Sequence, residues 1–123
     1  MTPYQKIQKE IVLLTIQNTD FNWPAEITEE NVDTVWELCY DYRQDAKEEF
    51  RSSGIDTGLE CEWSRYYESK SVAKQLSDGS YIGFVYWFGG GKHGEPEEID
   101  WMDDAYELEV TEVMMPIKQF KKK

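Results

Sequence analysis

The sequence predicts an α+β fold, with two N-terminal helices packed on a three- or four-stranded antiparallel sheet. Three observations predict it. Apolar residues recur at helical spacing as far as Phe50, and after Gly58 they alternate with polar ones. An Asp78-Gly79 pair then separates two strand-like runs, the pattern of a β-hairpin. The 123 residues suit a single domain, 1–123, which can bury enough surface to fold without staples.

The first helix is expected to start at Thr2. Thr2-Pro3-Tyr4-Gln5 reads as an N-cap, a proline at the first helical position and a capping-box glutamine. Tyr4, Ile7, Ile11 and Leu14 follow at helical spacing, and the helix should fade near Asn18. A connector containing Trp23-Pro24 follows, because the residue before proline avoids helical backbone. Thr28 is the expected cap of a second helix running to a glycine stop at Gly54. Ile27 and Val32 would form its hydrophobic staple. Its apolar stripe is Val32, Val35, Trp36, Cys39, Ala46 and Phe50, with Arg43 at the edge of the same stripe.

Leu59, Cys61 and Trp63 alternate with polar residues and predict a strand. Ser69–Leu76 and Tyr81–Phe88 predict a hairpin closed by a two-residue type I′ turn. That turn sets Ala73 opposite Phe84 and Ser71 opposite Tyr86, with Lys70 beside Trp87. Ile82, Phe84, Tyr86 and Phe88 would share the core face. A long loop with a short helical turn near 97–102 leads to a last strand from Tyr106 to Phe120. In that strand the apolar phase shifts at Val113, Met115 and Ile117, as a bulge would shift it, and Pro116 marks an edge. Lys121–Lys123 would be a frayed tail.

The formal net charge of −12 opposes binding to nucleic acid or anionic membranes and favours a basic partner. Cys39 and Cys61 form no C-x-x-C pair and read as reduced thiols of a cytoplasmic protein. The start of the chain lacks a signal-peptide pattern, and its apolar runs are too short to span a bilayer. No cofactor is expected. One histidine, and carboxylates without calcium-loop spacing, argue against a metal site.

Three groups of residues are candidates for function. The first is acidic. Asp33, Glu37 and Asp41 recur every four residues on the second helix, with Glu48 on the same side. A second block holds Glu95, Glu97, Glu98, Asp100, Asp103 and Asp104, and no Lys or Arg lies between Glu95 and Glu112. Like charges at helical spacing destabilise by a few tenths of a kcal/mol per pair. Such arrays can imitate a phosphate backbone and steer a basic protein; the plainer alternative is a solvated face. The second group is the loop Gly89, Gly90, Gly91, Lys92, His93 and Gly94. It is a flexible turn, a contact loop, or an anion site built from backbone N–H groups. It lacks the spacing of a phosphate loop. A catalytic His93 would need a reacting proton within reach, which no motif supplies. The third group is the aromatic set Trp63, Tyr66, Tyr67, Tyr86, Trp87 and Trp101, which is core or an exposed contact patch.

Tyr86-Trp87-Phe88-Gly89-Gly90-Gly91-Lys92-His93-Gly94-Glu95-Pro96, followed by Ile99-Asp100-Trp101, resembles a segment of small tailed-bacteriophage proteins. The likeness runs from Lys70 to Trp101, about a quarter of the chain. It implies a phage accessory protein in a bacterial cytosol and carries over no activity or site. Small acidic phage proteins are similar in character to inhibitors of host defence nucleases. The resulting expectation is a non-enzymatic protein that binds a basic bacterial protein. The alternative is a small-ligand or nucleotide site at the glycine loop.

Overall fold

The computed structural model describes all residues except 92, 93 and 113–117. The chain is α+β and divides into two compact units, Met1–Ser53 and Gly54–Lys123. The described residues form three helices and five strands, where two helices and three or four strands were expected.

The first unit is helical. Helix α1 spans Pro3–Asn18 and starts as the sequence predicts. The Gln5 N–H donates to Thr2 Oγ1 at 3.1 Å, and the Thr2 N–H donates to Gln5 Oε1 at 3.0 Å. Each side chain thereby satisfies a donor that the helix start leaves without a partner. The buried face of α1 is Ile7, Gln8, Ile11, Val12 and Thr15. At the other end, Thr19 donates to the Thr15 carbonyl through both its N–H (2.9 Å) and its hydroxyl (2.7 Å).

The expected second helix is two. Helix α2 spans Val32–Leu38 and α3 spans Gln44–Ser52, and α1 packs against both. Thr28 does not cap α2 with its side chain. Asn31 Oδ1 instead accepts the Thr28 N–H at 2.8 Å, and the Thr28 carbonyl accepts the Val32 N–H at 2.9 Å. The break has a specific cause. In a continuous helix the Trp36 carbonyl would accept the Tyr40 N–H. Here the Arg43 guanidinium donates to that carbonyl, and the Tyr40 N–H turns to Glu37 at 3.2 Å. The apolar stripe survives the break: Val32, Val35, Trp36, Cys39, Ala46 and Phe50 are all buried. The larger of these side chains, such as Val32, Val35 and Phe50, each contribute roughly 1.5–3 kcal/mol through burial.

The second unit is an antiparallel meander. Strands β1 (Ile55–Asp56), β2 (Glu68–Gln75), β3 (Tyr81–Phe88), β4 (Tyr106–Glu112) and β5 (Lys118–Lys122) pair in chain order. Both faces bury side chains. Val72, Ile82 and Phe84 line one face, where Trp101 packs on Phe84 at 4.8 Å between ring centroids. Ala73, Tyr81 and Leu108 form a cluster with Leu59, Tyr106, Val110 and Phe120. Gly83 is required here, because a Cβ at that position would lie 2.4 Å from the Tyr106 ring.

The hairpin forms, but its register differs from the expected one. Val72 faces Phe84, Ala73 faces Gly83, Ser71 faces Val85 and Lys70 faces Tyr86. The loop has three residues. The Gly79 N–H donates to Leu76 O at 3.0 Å and the Leu76 N–H to Ser80 O at 2.8 Å. A type I′ turn needs positive φ at both central residues, but only Gly79 has it, at +89°. Asp78 instead accepts from the Ser80 N–H at 2.9 Å, which fixes a turn ending in a glycine bulge. The expected core face is only partly kept: Ile82 and Phe84 are buried, but Tyr86 and Phe88 are half-buried, and Tyr81, Gly83 and Trp87 on the other face are buried as well, because both faces of the sheet are covered.

Two more expectations are corrected. The segment through Leu59, Cys61 and Trp63 is not a strand. The Ser71 and Ser69 hydroxyls donate to the Glu60 and Glu62 carbonyls at 3.3 and 2.7 Å, replacing a backbone ladder along β2. The C-terminal lysines are not a frayed tail. Lys121 and Lys122 belong to β5, opposite Glu109 and Leu108, and Lys121 Nζ lies 3.0 Å from Glu109 Oε2. Tyr106–Phe120 is therefore two strands, and the expected bulge at Val113, Met115, Pro116 and Ile117 lies outside the described residues.

Candidate functional site

The helical acidic array does not hold together. Asp33 and Glu37 are exposed on α2, Asp41 lies in the turn after it, and Glu48 lies on α3. Glu48 is also neutralised. Arg51 donates to it through Nε (2.9 Å) and Nη2 (2.8 Å), the forked pairing that best cancels a carboxylate.

The block after the glycine turn behaves differently. Glu95, Glu97, Glu98, Asp100, Asp103 and Asp104 are all exposed, and none makes an ion pair among the described residues. A 3-10 turn at Pro96–Glu98 starts the segment, with the Glu98 N–H donating to Glu95 O at 3.0 Å. Trp101 and Met102, each 3% exposed, anchor its middle. The carboxylates are close enough to disturb one another. A hydrogen bond with Asp100 pushes the Asp103 carboxyl above its ordinary value, with smaller contributions from desolvation and from the charges of Asp100 and Asp104.

Gly89, Gly90 and Gly91 have φ of +76°, +88° and +50°, a run that side chains rarely tolerate. Gly90 also lies against Tyr67, whose ring would be 2.6 Å from a Cβ there. Glu68 Oε2 lies 3.4 Å from the Cβ position of Gly89, so a carboxylate stands beside the turn. The Gly94 N–H donates to Gly91 O at 3.2 Å. Lys92 and His93 lie outside the described residues.

The aromatic set splits. Trp87 and Trp101 are buried, whereas Trp63 is 84% and Tyr66 53% exposed. Trp63, Arg65, Tyr66, Tyr67, Glu68 and Phe88 line an open cleft of about 470 Å³. Tyr86 and Phe88 stack at 5.5 Å, and Lys70 Nζ lies 5.7 and 5.8 Å from their ring centres. Trp63, Tyr66 and Tyr67 stand out in the sequence, but the cleft they line with Phe88 does not. The signal available was the run Trp63-Ser64-Arg65-Tyr66-Tyr67, which breaks the strand alternation.

Among the described residues no group of three His, Cys, Asp or Glu is placed to hold a metal ion. No helix of the described residues is long and apolar enough to cross a membrane. The fold and surface define an acidic α+β protein with an anchored carboxylate segment and an aromatic cleft. No protein-family model, curated protein or solved structure matches the chain.

Proposed function

We propose that the chain is a non-enzymatic binding protein that inhibits or redirects a basic bacterial protein, working in the bacterial cytosol as a phage-type accessory protein. Its contact surface is the segment Glu95–Asp104. One observation carries this reading. Six exposed carboxylates, pinned by the buried Trp101, make no ion pair among the described residues, while Glu48 and Glu109 are matched to Arg51 and Lys121. Carboxylates held close together raise each other's energy, and a cationic partner relieves that repulsion and is steered by it. A DNA-handling protein offers such a surface, because its groove is built for phosphates.

The nucleotide alternative at Gly89–Gly94 is the weaker reading, because Glu68 beside Gly89 repels an anion. Capture from bacterial lysate tests the proposal, with wild type compared against a Glu97→Lys/Glu98→Lys variant and against a Glu37→Lys control. The expected result is a basic protein captured by wild type and by the control, and lost in the double variant. Capture insensitive to the double reversal rejects the proposed surface.

A further inference from the structure

We propose that the cleft beside Trp63 is a subsite for an arginine side chain, a refinement that rests on the partner being basic. Trp63, at 84% exposed, leads the large apolar side chains described, ahead of Leu38 and Tyr40 at 58%. Cations already cover other aromatic rings of the same unit: Arg65 over Tyr66 at 5.7 Å within the cleft, and outside it Lys70 over Tyr86 at 5.7 Å and Lys122 over Tyr106 at 4.3 Å. Trp63 carries none among the described residues, although indole is the strongest acceptor of a cation.

The charges of this segment favour the same ligand. Glu68 lines the cleft and Glu60 and Glu62 precede it in the chain; all three are exposed and make no ion pair among the described residues, against one cation from 57 to 69, Arg65, which lies over Tyr66. Glu68, the carboxylate that lines the cleft, attracts a guanidinium to the aromatic wall and repels a nucleotide phosphate, whose base could otherwise stack on the same rings. The wall is held in place from below. Tyr67 lies on the Gly90 backbone, which the left-handed glycine turn brings under it, and Phe88 is stacked on Tyr86. An arginine is planar enough to lie on the indole and can reach Glu68 with its fork.

The test is an NMR titration of the isotope-labelled full chain with N-acetyl-arginine amide, following the Trp63 indole N–H, assigned by its loss in Trp63→Phe. N-acetyl-norleucine amide serves as the uncharged control. The expected result is a saturable shift with the arginine compound and none with norleucine. Glu68→Gln should weaken it about fivefold, and Glu97→Lys/Glu98→Lys should leave it unchanged. An immobile indole, an equal response to norleucine, or tight binding that persists at the Tyr66 and Tyr67 amides in Trp63→Leu overturns the subsite. So does loss of the response in the Glu97→Lys/Glu98→Lys variant. Trp63 is solvent-exposed, so its variants test binding rather than folding. Failure of the acidic segment in lysate capture leaves this titration untouched, so the two proposals fail separately.

Discussion

Arg43 donates to the carbonyl of Trp36 and lies over its indole, with the guanidinium carbon 3.9 Å from the ring centre. The same guanidinium is 4.9 Å from the Tyr40 ring. One side chain thus ends α2, covers its last aromatic and sets the turn into α3. Arg43→Ala should destabilise the protein by about 2 kcal/mol, the sum expected for a charged hydrogen bond and a stacked cation. Urea unfolding monitored by circular dichroism measures it. Arg43→Lys should recover only part of the loss, because an ammonium cannot stack and donate in the same geometry.

The glycine turn gives a graded prediction. Gly90→Ala forces a methyl into the Tyr67 ring at a φ of +88°, and should cost about 2–3 kcal/mol. Gly91→Ala meets nothing within 4 Å among the described residues and should carry the left-handed backbone penalty, about 1 kcal/mol. Equal losses at the two positions would contradict the packing of Tyr67 on Gly90.

The capping box was legible in the sequence because Thr2 and Gln5 are three residues apart and need nothing else. The Asp-Gly hairpin was legible as an element, but its register was not. Two- and three-residue loops share the same dipeptide, and the backbone angle at Asp78 decides between them. The helix break was hidden because a side chain seven residues away, Arg43, takes the Trp36 carbonyl while the apolar stripe continues unbroken. The acidic block at 95–104 was visible as a run of like charge. Its anchoring by Trp101 against Phe84 depends on a strand far back in the sequence. The neutralisation of Glu48 could have been read from Arg51 three residues on, a spacing that places both on one helix face.

The anchor itself can be removed. Trp101→Ala deletes a buried ring and should cost about 3–5 kcal/mol. Trp101→Phe should keep most of the stability, since a ring still meets Phe84. Thermal unfolding of the two variants side by side distinguishes this from a merely exposed tryptophan, for which both changes would be nearly silent.

Asp103 gives a pH prediction. Its folded carboxyl is raised, first through the hydrogen bond with Asp100. The folded state therefore holds this proton more tightly than the unfolded chain does. The stability it contributes is full below the ordinary carboxylate value and is lost as pH rises from there through the raised folded value. Asp103 is fully exposed, so the effect is small and salt-sensitive. Carbon-detected NMR titration should place its midpoint above the ordinary aspartate value, and Asp100→Asn should move it downward. A midpoint unmoved by Asp100→Asn would show that the two carboxylates do not interact.

The proposed function rests on unpaired carboxylates gathered into an anchored segment that would meet a positively charged partner. The most direct measurement is the affinity of the captured partner for the full chain across a salt series, for wild type and for the Glu97→Lys/Glu98→Lys/Asp104→Lys triple variant. Affinity for wild type should fall steeply with salt, and the variant should be weak at every salt concentration with a shallow slope. Parallel salt curves of equal affinity for the two proteins would contradict the account.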